Sequence, residues 1–386
     1  MMTVFSLGSL AQSRAIRTAV DYLLLAPDAR GTALGTIGAA STPDDFSAHW
    51  NPAKYAFTDK KFGVAISYTP FYWLIIEDYD PLDLSFGFKA FNLYFKIKEK
   101  MAISTSMVYL SLGDITFTDE FGNMLGTYRP CELFNDVSFS YRINDVLSLG
   151  MAGRFIYSNL TQGQFVQGAE THPGISFAVD LSAYYQQPIS LGSMDGSLSC
   201  GLNISNIGSK MSYSESAINK NFIPTNLRVG VGLTTKFNSD HSLTVLADVN
   251  KLLVPSPPVY MRDSLGNPVY DEENNPIISK GMDPNVSVLR GMFQSWYDAP
   301  YGFKEEMQEW SFGLGFEYWL LDKFSARAGL YYENETKGTR RYFTTGIGVR
   351  FGYFGYDIGI LIPFEERYFN AFNLRASIMV DIGNRK

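Results

Sequence analysis

Residues 310–318 read WSFGLGFEY and alternate strictly, with Trp310, Phe312, Leu314, Phe316 and Tyr318 on one face of a strand. Ser311, Gly313, Gly315 and Glu317 take the other face, because successive side chains of a strand point to opposite sides. A face of Gly, Ser and scattered charge cannot serve as the inner face of a two-sheet sandwich, whose facing layers must both be apolar. It does suit a barrel whose exterior is apolar and whose interior is polar. The same division recurs elsewhere: Leu227, Val229, Val231 and Leu233 oppose Arg228, Gly230, Gly232 and Thr234. Phe62, Val64, Ile66 and Tyr68 oppose Gly63, Ala65 and Ser67, and Phe354, Tyr356, Ile358, Ile360 and Ile362 form another apolar row.

Period-two runs fall near 61–71, 83–97, 101–118, 124–143, 146–161, 173–187 and 194–207. Others fall near 224–237, 242–252, 308–320, 323–333, 342–352, 354–362 and 371–382, which predicts a 14-stranded antiparallel transmembrane β-barrel. The links between runs alternate short and long, with one moderate exception at 188–193. Short periplasmic turns and long outer loops have this rhythm, and an even strand count puts both termini on the periplasmic side. Strands of about 9–11 residues cross a tilted wall, so the longer pair 101–118 and 124–143 should project as a hairpin. Aromatic girdles are expected from Phe71, Tyr72, Trp73, Tyr157, Tyr331 and Tyr342 at the outer rim. Tyr94, Phe95, Phe237, Tyr318, Trp319 and Phe324 would form the inner girdle. The last strand does not end on an aromatic residue, as many outer-membrane barrels do.

Composition agrees with this architecture. The chain of 386 residues is 46% hydrophobic, yet its mean hydropathy of -0.06 is too low for a bundle of membrane helices, and it holds no run of eighteen apolar residues. A soluble β-rich protein would share that average. The net charge of -7 and pI near 5.1 argue against nucleic acid as a partner. Cys131 and Cys200 fall on separate strands, so neither a disulfide nor a metal site is expected. The three histidines, His49, His172 and His241, lie in unrelated parts of the pattern, and no G-x-S-x-G, P-loop, H-E-x-x-H or C-x-x-C occurs. No catalytic residue and no cofactor is expected.

The N-terminal sixty residues differ from everything after them. Residues 1–13 resemble the end of a secretory signal peptide. Ile16, Ala19, Val20, Leu23 and Leu24 have helical spacing and predict a short helix over 15–26. Residues 28–57, DARGTALGTIGAASTPDDFSAHWNPAKYAF, are rich in Gly and Ala and close on Trp50, Asn51, Pro52 and Ala53. Small residues allow close backbone approach and Asn-Pro forces a turn, so this segment reads as a plug inside the barrel. The expected divisions are 1–13, a signal-peptide remnant; 14–60, helix and hatch; and 61–386, the barrel, with a long extracellular loop at 253–307.

The spacing of Gly31, Gly35, Asn51, Pro52 and Ala53 resembles the hatch signature of the FadL-like outer-membrane barrels. The fuller strings HWNPAKYAF (49–57) and SLGDITFTDEFGN (111–123) are similar to the PorV family, the barrels of the type IX secretion system of Bacteroidota. That resemblance implies a non-enzymatic shuttle in the outer membrane. It would accept cargo by its C-terminal signal domain from the translocon barrel (SprA/Sov-like) and deliver it to the attachment complex containing a PorU-like sortase. The partners so implied are outer-membrane lipid, the translocon, the sortase and the cargo signal domains. The family's association with lipid A deacylation finds no nucleophile and base here. A FadL-type channel for hydrophobic small molecules is the alternative, since it shares Trp50, Asn51, Pro52 and Ala53.

The loop 253–307 contains a near-repeat, DSLGNPVY at 263–270 and DEENNPII at 271–278, which reads as a hairpin of two short strands. Its acidic residues lack the Gly and distal Glu of an EF-hand, so solvated turns are expected. Leu289, Met292, Phe293, Trp296 and Tyr297 follow helical spacing and predict an amphipathic helix whose apolar face either caps this barrel's own mouth or docks a partner. The candidate partner contacts are Met292, Phe293, Trp296 and Tyr297, with Phe121 at the tip of the 119–123 hairpin.

Overall fold

The computed structural model describes residues 15–70, 86–118, 121–164, 170–192, 194–214, 220–273, 275–364 and 373–383. The chain begins with two short helices, α1 (Ala29–Ala33) and α2 (Ser47–Trp50). Strands β1 (Phe62–Thr69), β2 (Phe86–Lys98) and β3 (Met101–Leu112) follow, then a ribbon of β4 (Ile115–Thr118) and β5 (Met124–Tyr128). Next come β6 (Cys131–Arg142), β7 (Leu147–Asn159), β8 (Gly174–Leu191), β9 (Met194–Gly208), β10 (Asn226–Lys236) and β11 (His241–Leu252). The long connection holds β12 (Val259–Tyr260), β13 (Ile278–Lys280), α3 (Val288–Gln294) and α4 (Phe303–Gln308). The chain closes with β14 (Trp310–Leu320), β15 (Phe324–Tyr332), β16 (Arg341–Phe351), β17 (Phe354–Pro363) and β18 (Asn373–Ile382).

Fourteen strands form one closed antiparallel barrel, sealed where β1 pairs with β18, Phe62 opposite Ile382. Closure leaves no sheet edge, the condition for a sheet to sit in hydrocarbon. Every period-two run predicted from the sequence corresponds to a barrel strand. The exception among the links disappears: β8 continues through Pro188, pairs it with Ser197 and turns at Gly192. Pro188 lies near the strand end, where the loss of one N–H matters least. The long pair is interrupted at Gly113, which takes φ +71°, and the projection is the separate β4–β5 ribbon. No helix among the described residues is long and apolar enough to cross a membrane.

The alternation assigns the faces. Phe312, Leu314, Phe316, Tyr318 and Ile358 point outward and are exposed, whereas Ser311, Glu317, Arg327, Asp357 and Arg375 point inward and are buried. Four of the aromatics expected in girdles turn inward instead. Tyr94 stacks on Tyr55 at 4.9 Å, Tyr331 stacks on Tyr342 at 5.0 Å, and Trp319 lies under the guanidiniums of Arg327 and Arg350. Their parity within their strands, not their aromaticity, sets the direction. Phe71, Tyr72, Trp73 and residues 1–13 lie outside the described residues.

The helix expected over 15–26 is absent. Only Asp21–Leu24 form a single 3₁₀ turn, and Val20 ahead of it adopts a left-handed φ of 56°. Ala19, Val20, Tyr22 and Leu23 are instead packed into an apolar lining of Phe88, Val108, Leu110, Phe134 and Ile156. Burial on several sides outweighs helical propensity in so short a segment. Ala19 donates its N–H to Phe222 O at 2.8 Å in a long connection, whereas Ile382 lies opposite Phe62 at the end of the tight turns. The described ends of the chain therefore lie at opposite ends of the barrel, because the segment before β1 runs the length of the lumen.

Candidate functional site

The hatch is assembled around Asp28 and Trp50. Asp28 caps α1 by accepting from Gly31 N at 2.6 Å, and its other oxygen accepts from Trp50 Nε1 at 2.7 Å. The indole fills the space between Gly31 and Gly38; a Cβ on Gly38 would lie 2.6 Å from its Cγ. Asn51 Nδ2 donates to Ala39 O at 3.0 Å and to Ala183 O of the wall at 2.9 Å, while its Oδ1 accepts from Ala53 N. Pro52 opens the turn 52–57, where a missing N–H costs nothing. Gly35 needs its positive φ of 80°, and a Cβ there would lie 2.6 Å from Leu330 O.

The inward Gly and Ser residues of the strands are the footprint of this segment. Hatch backbone abuts Gly201, Gly315, Gly329 and Gly359, where side chains would collide with Ala39, Leu34, Gly35 and Ala29. Wall side chains then satisfy hatch backbone groups, as buried polar groups require. Asp248 accepts from Gly38 N and Ala39 N, each at 2.9 Å, Ser377 accepts from Ala29 N, and Thr344 Oγ1 accepts from Gly35 N. A ladder of charge completes the seal: Arg30 grips Glu317 with two bonds of 2.8 and 2.7 Å and Asp44 with one of 2.8 Å. Glu317 also accepts from Arg327, which donates to Asp357, itself gripped by Arg350.

His49 stands apart from these networks. It is buried edge-on to Trp50 at 4.9 Å, and neither ring nitrogen has a hydrogen-bond partner. Burial, reinforced by the guanidiniums of Arg228, Arg154 and Arg375 and the ammonium of Lys54, holds its pKa well below the ordinary 6.5. A folded pKa below the unfolded one means that the unfolded chain binds the extra proton. The contribution to stability is therefore complete above about pH 6.5 and lost as pH falls, by about 1.4 kcal/mol per unit. Asp28, raised to about 6 chiefly by burial, acts in the opposite sense, so comparison with a His49→Gln variant isolates the histidine. Between pH 7.5 and 5.5 the wild type should lose more melting temperature than His49→Gln; equal losses would contradict this assignment.

At the other end, the long connection is tied down by polar contacts. Lys251 Nζ donates to Glu306 and Glu309 at 3.2 and 2.6 Å, and Lys337 Nζ pairs with Glu305 and Glu309 at 2.8 and 2.9 Å. Burial alone would raise the Glu309 carboxyl, but the two ammonium groups outweigh it and hold its pKa low. The eight-residue period runs on past the second copy, which the sequence reading missed: Pro268, Pro276 and Pro284 are evenly spaced, as are Met261, Val269 and Ile277. Met261 N donates to Ile277 O, Val269 N to Met261 O and Ile277 N to Val269 O, closing a ring of three backbone hydrogen bonds between residues eight apart. Asp263 and Asp271 each accept from two N–H groups of their own turns, which depresses both carboxyls. Among the described residues no cluster of three metal-ligating side chains occurs.

Helix α3 forms where helical spacing places it, but the opposite face is buried. Gln294 is covered and donates to Asp283 O at 2.9 Å, and Gly291 presses on Phe222. Asp298, beyond the helix, accepts from Ser256 N, and burial raises its pKa to about 6. The apolar row faces out: Leu289, Phe293, Trp296 and Tyr297 are 64%, 71%, 46% and 64% exposed, with Met292 half-buried. Trp296 rests edge-on against Trp310 at 5.9 Å. Phe121 is 81% exposed near the β4–β5 tip. The structure therefore separates two groups of sequence-predicted residues, Gly31, Gly35, Trp50, Asn51, Pro52 and Ala53 inside the lumen and the aromatic residues on the long-loop surface.

Comparison with solved structures agrees with the barrel. The toluene transporter TodX of P. putida superposes with a TM-score of 0.50 at 10% identity, covering 94% of this chain and 99% of that one. A TodX mutant described as a monoaromatic hydrocarbon channel gives 0.52 at 14% identity, covering 92% and 99%. The toluene transporter TbuX of Ralstonia pickettii gives 0.49 at 12% identity, covering 94% and 98%. Identities this low speak for the fold alone. No curated protein sequence matches the chain. The family model for type IX secretion system protein PorV matches residues 9–259. With more than half of its length matched by that model and a closed fourteen-stranded barrel beneath it, the chain belongs to the PorV family of type IX secretion outer-membrane proteins.

Proposed function

We propose that the protein is a non-enzymatic shuttle of the type IX secretion system. It accepts cargo by the C-terminal signal domain from the translocon barrel and hands it to the attachment complex with its PorU-like sortase. The long-loop end faces the cell exterior and Gly383 the periplasm. Within this reading residues 1–13 are a signal-peptide remnant, 14–60 the hatch and 61–386 the barrel. The observation that carries it is the exposed row Leu289, Phe293, Trp296 and Tyr297 on a loop pinned to the rim by buried ion pairs. A rigid aromatic surface of this kind suits protein recognition, since ordered aromatics bind with little further loss of freedom. Met292 and Phe121 extend the same candidate surface.

A FadL-type channel requires a continuous path through the lumen. The Arg30–Glu317–Arg327–Asp357 ladder ties the hatch to β14, β15 and β17 and so holds it inside the lumen, which weighs against that alternative. Affinity capture of the tagged chain from its native membrane tests the proposal. A large translocon barrel and a sortase should co-purify with it. Purification without either, together with passage of toluene through reconstituted protein, would overturn the shuttle reading in favour of the channel.

A further inference from the structure

The outward row of β6 reads Cys131, Leu133, Asn135, Val137, Phe139 and Tyr141, and Asn135 is exposed within it. Its cross-strand neighbours are Met107 on β3 and Phe155 on β7, so an apolar side chain stands on each of its four sides. Tyr109 and Tyr157 lie opposite Leu133, one outward step nearer the long-loop rim, and Phe139 and Tyr141 lie toward the tight turns. The carboxamide therefore sits inside the apolar band. Its Nδ2 donates to Ser106 O at 2.9 Å and reaches Thr105 Oγ1 at 3.5 Å, but its Oδ1 accepts from no group among the described residues. The outward hydroxyls of Thr105 and Thr345 behave differently, each donating to a strand carbonyl, Asp136 O and Arg327 O. Beside the amide the wall is dented. Gly153 of β7 lies between Val137 of β6 and Val179 of β8, and a Cβ added there would meet nothing within 4 Å.

Hydrocarbon offers a carbonyl oxygen no donor, so a bare Oδ1 is costly there. Lipid tails are also as apolar as the wall, so proteins associate within a membrane by close packing at small residues and by hydrogen bonds between polar ones. An amide acceptor beside a glycine dent supplies both. We propose that this wall, centred on Asn135 and Gly153, is the docking face for a different transmembrane protein, which gives an N–H or O–H to Asn135 Oδ1 and seats a side chain over Gly153. A second copy of this chain does not fit, because a two-fold contact about Asn135 would set oxygen against oxygen, each Nδ2 being already committed. Above the same stretch the β4–β5 ribbon joins β3 to β6 and leaves Met124 and Leu125 exposed, so the face continues beyond the membrane. The identity of the partner rests on the proposed function, in which the transmembrane partner is the translocon barrel.

Photoreactive p-benzoylphenylalanine at Val137, beside the dent, and at Ile358 on β17, five steps round the ring of strands, compares two walls of the full chain in its native membrane. Irradiation should join position 137, and not position 358, to the translocon barrel, identified by mass spectrometry. Asn135→Leu and Gly153→Trp, checked by circular dichroism, should each cut that yield at least fivefold while cargo-domain binding stays unchanged. Equal yields at the two positions, or products with lipid alone at 137, would overturn the docking face. An undiminished yield in folded Asn135→Leu would overturn the role of the amide. A cross-link from 137 to another integral outer-membrane protein, still lost in Asn135→Leu, would uphold the face and remove the translocon as its partner. Failure of cargo binding removes the shuttle reading and leaves these yields, and the face, standing.

Discussion

Glu317→Gln is expected to loosen the hatch while leaving the barrel closed. Glu317 accepts from Arg30 of the hatch and from Arg327 of the neighbouring strand, with 1% of its side chain exposed. Its neutral replacement cannot return either charge-assisted bond, and both guanidiniums remain buried. Removing one partner of a buried pair costs about 3–5 kcal/mol. The wall does not share that cost, since β14 keeps its backbone pairing with β11 and β15. In planar bilayers the variant should show intermittent conductance where the wild type is quiet, and its unfolding midpoint should fall. A variant as quiet and as stable as the wild type would mean that other contacts hold the hatch.

The second large effect belongs to the loop surface. Changing Leu289, Phe293, Trp296 and Tyr297 together to Ser should reduce affinity for a cargo signal domain by at least about 100-fold, since buried aromatic anchors are each worth about 2 kcal/mol or more. These side chains are largely exposed and only Trp296 leans on a neighbouring ring, Trp310, so the barrel should stay folded and its melting should fall little. The contacts that fix the loop, Gln294 to Asp283 and Lys251 to Glu309, are untouched. Unaltered cargo affinity would move the contact surface elsewhere on the long-loop end.

The barrel was legible because each wall strand obeys one local rule. Phe312 and Gly313 must face different media, and period two says so without any long-range information. The plug was legible for a related reason, since Gly31, Gly35, Asn51 and Pro52 mark close approach and turning wherever they occur. What the sequence does not display is which charge meets which. Arg30 and Glu317 lie 287 positions apart, and along the chain each looks like one more scattered charge on a polar face. Residues 15–26 misled because helical spacing and burial among separate walls produce the same apolar pattern, and Val20 in the left-handed region ended any helix. In α3 the periodicity located the helix, but the buried face is the polar one, held by Asp283 and backed by Phe222. Tyr331 and Tyr342 were assigned to the lipid on aromaticity, yet their odd–even position within β15 and β16 sends them into the lumen.

In the proposed role this barrel works by its long-loop surface and not by conduction through its lumen. Titration of the purified wild-type protein with an isolated C-terminal signal domain, followed by calorimetry, is the decisive experiment. Saturable binding at one domain per barrel is the predicted result. A flat titration with correctly folded barrel and domain would contradict it.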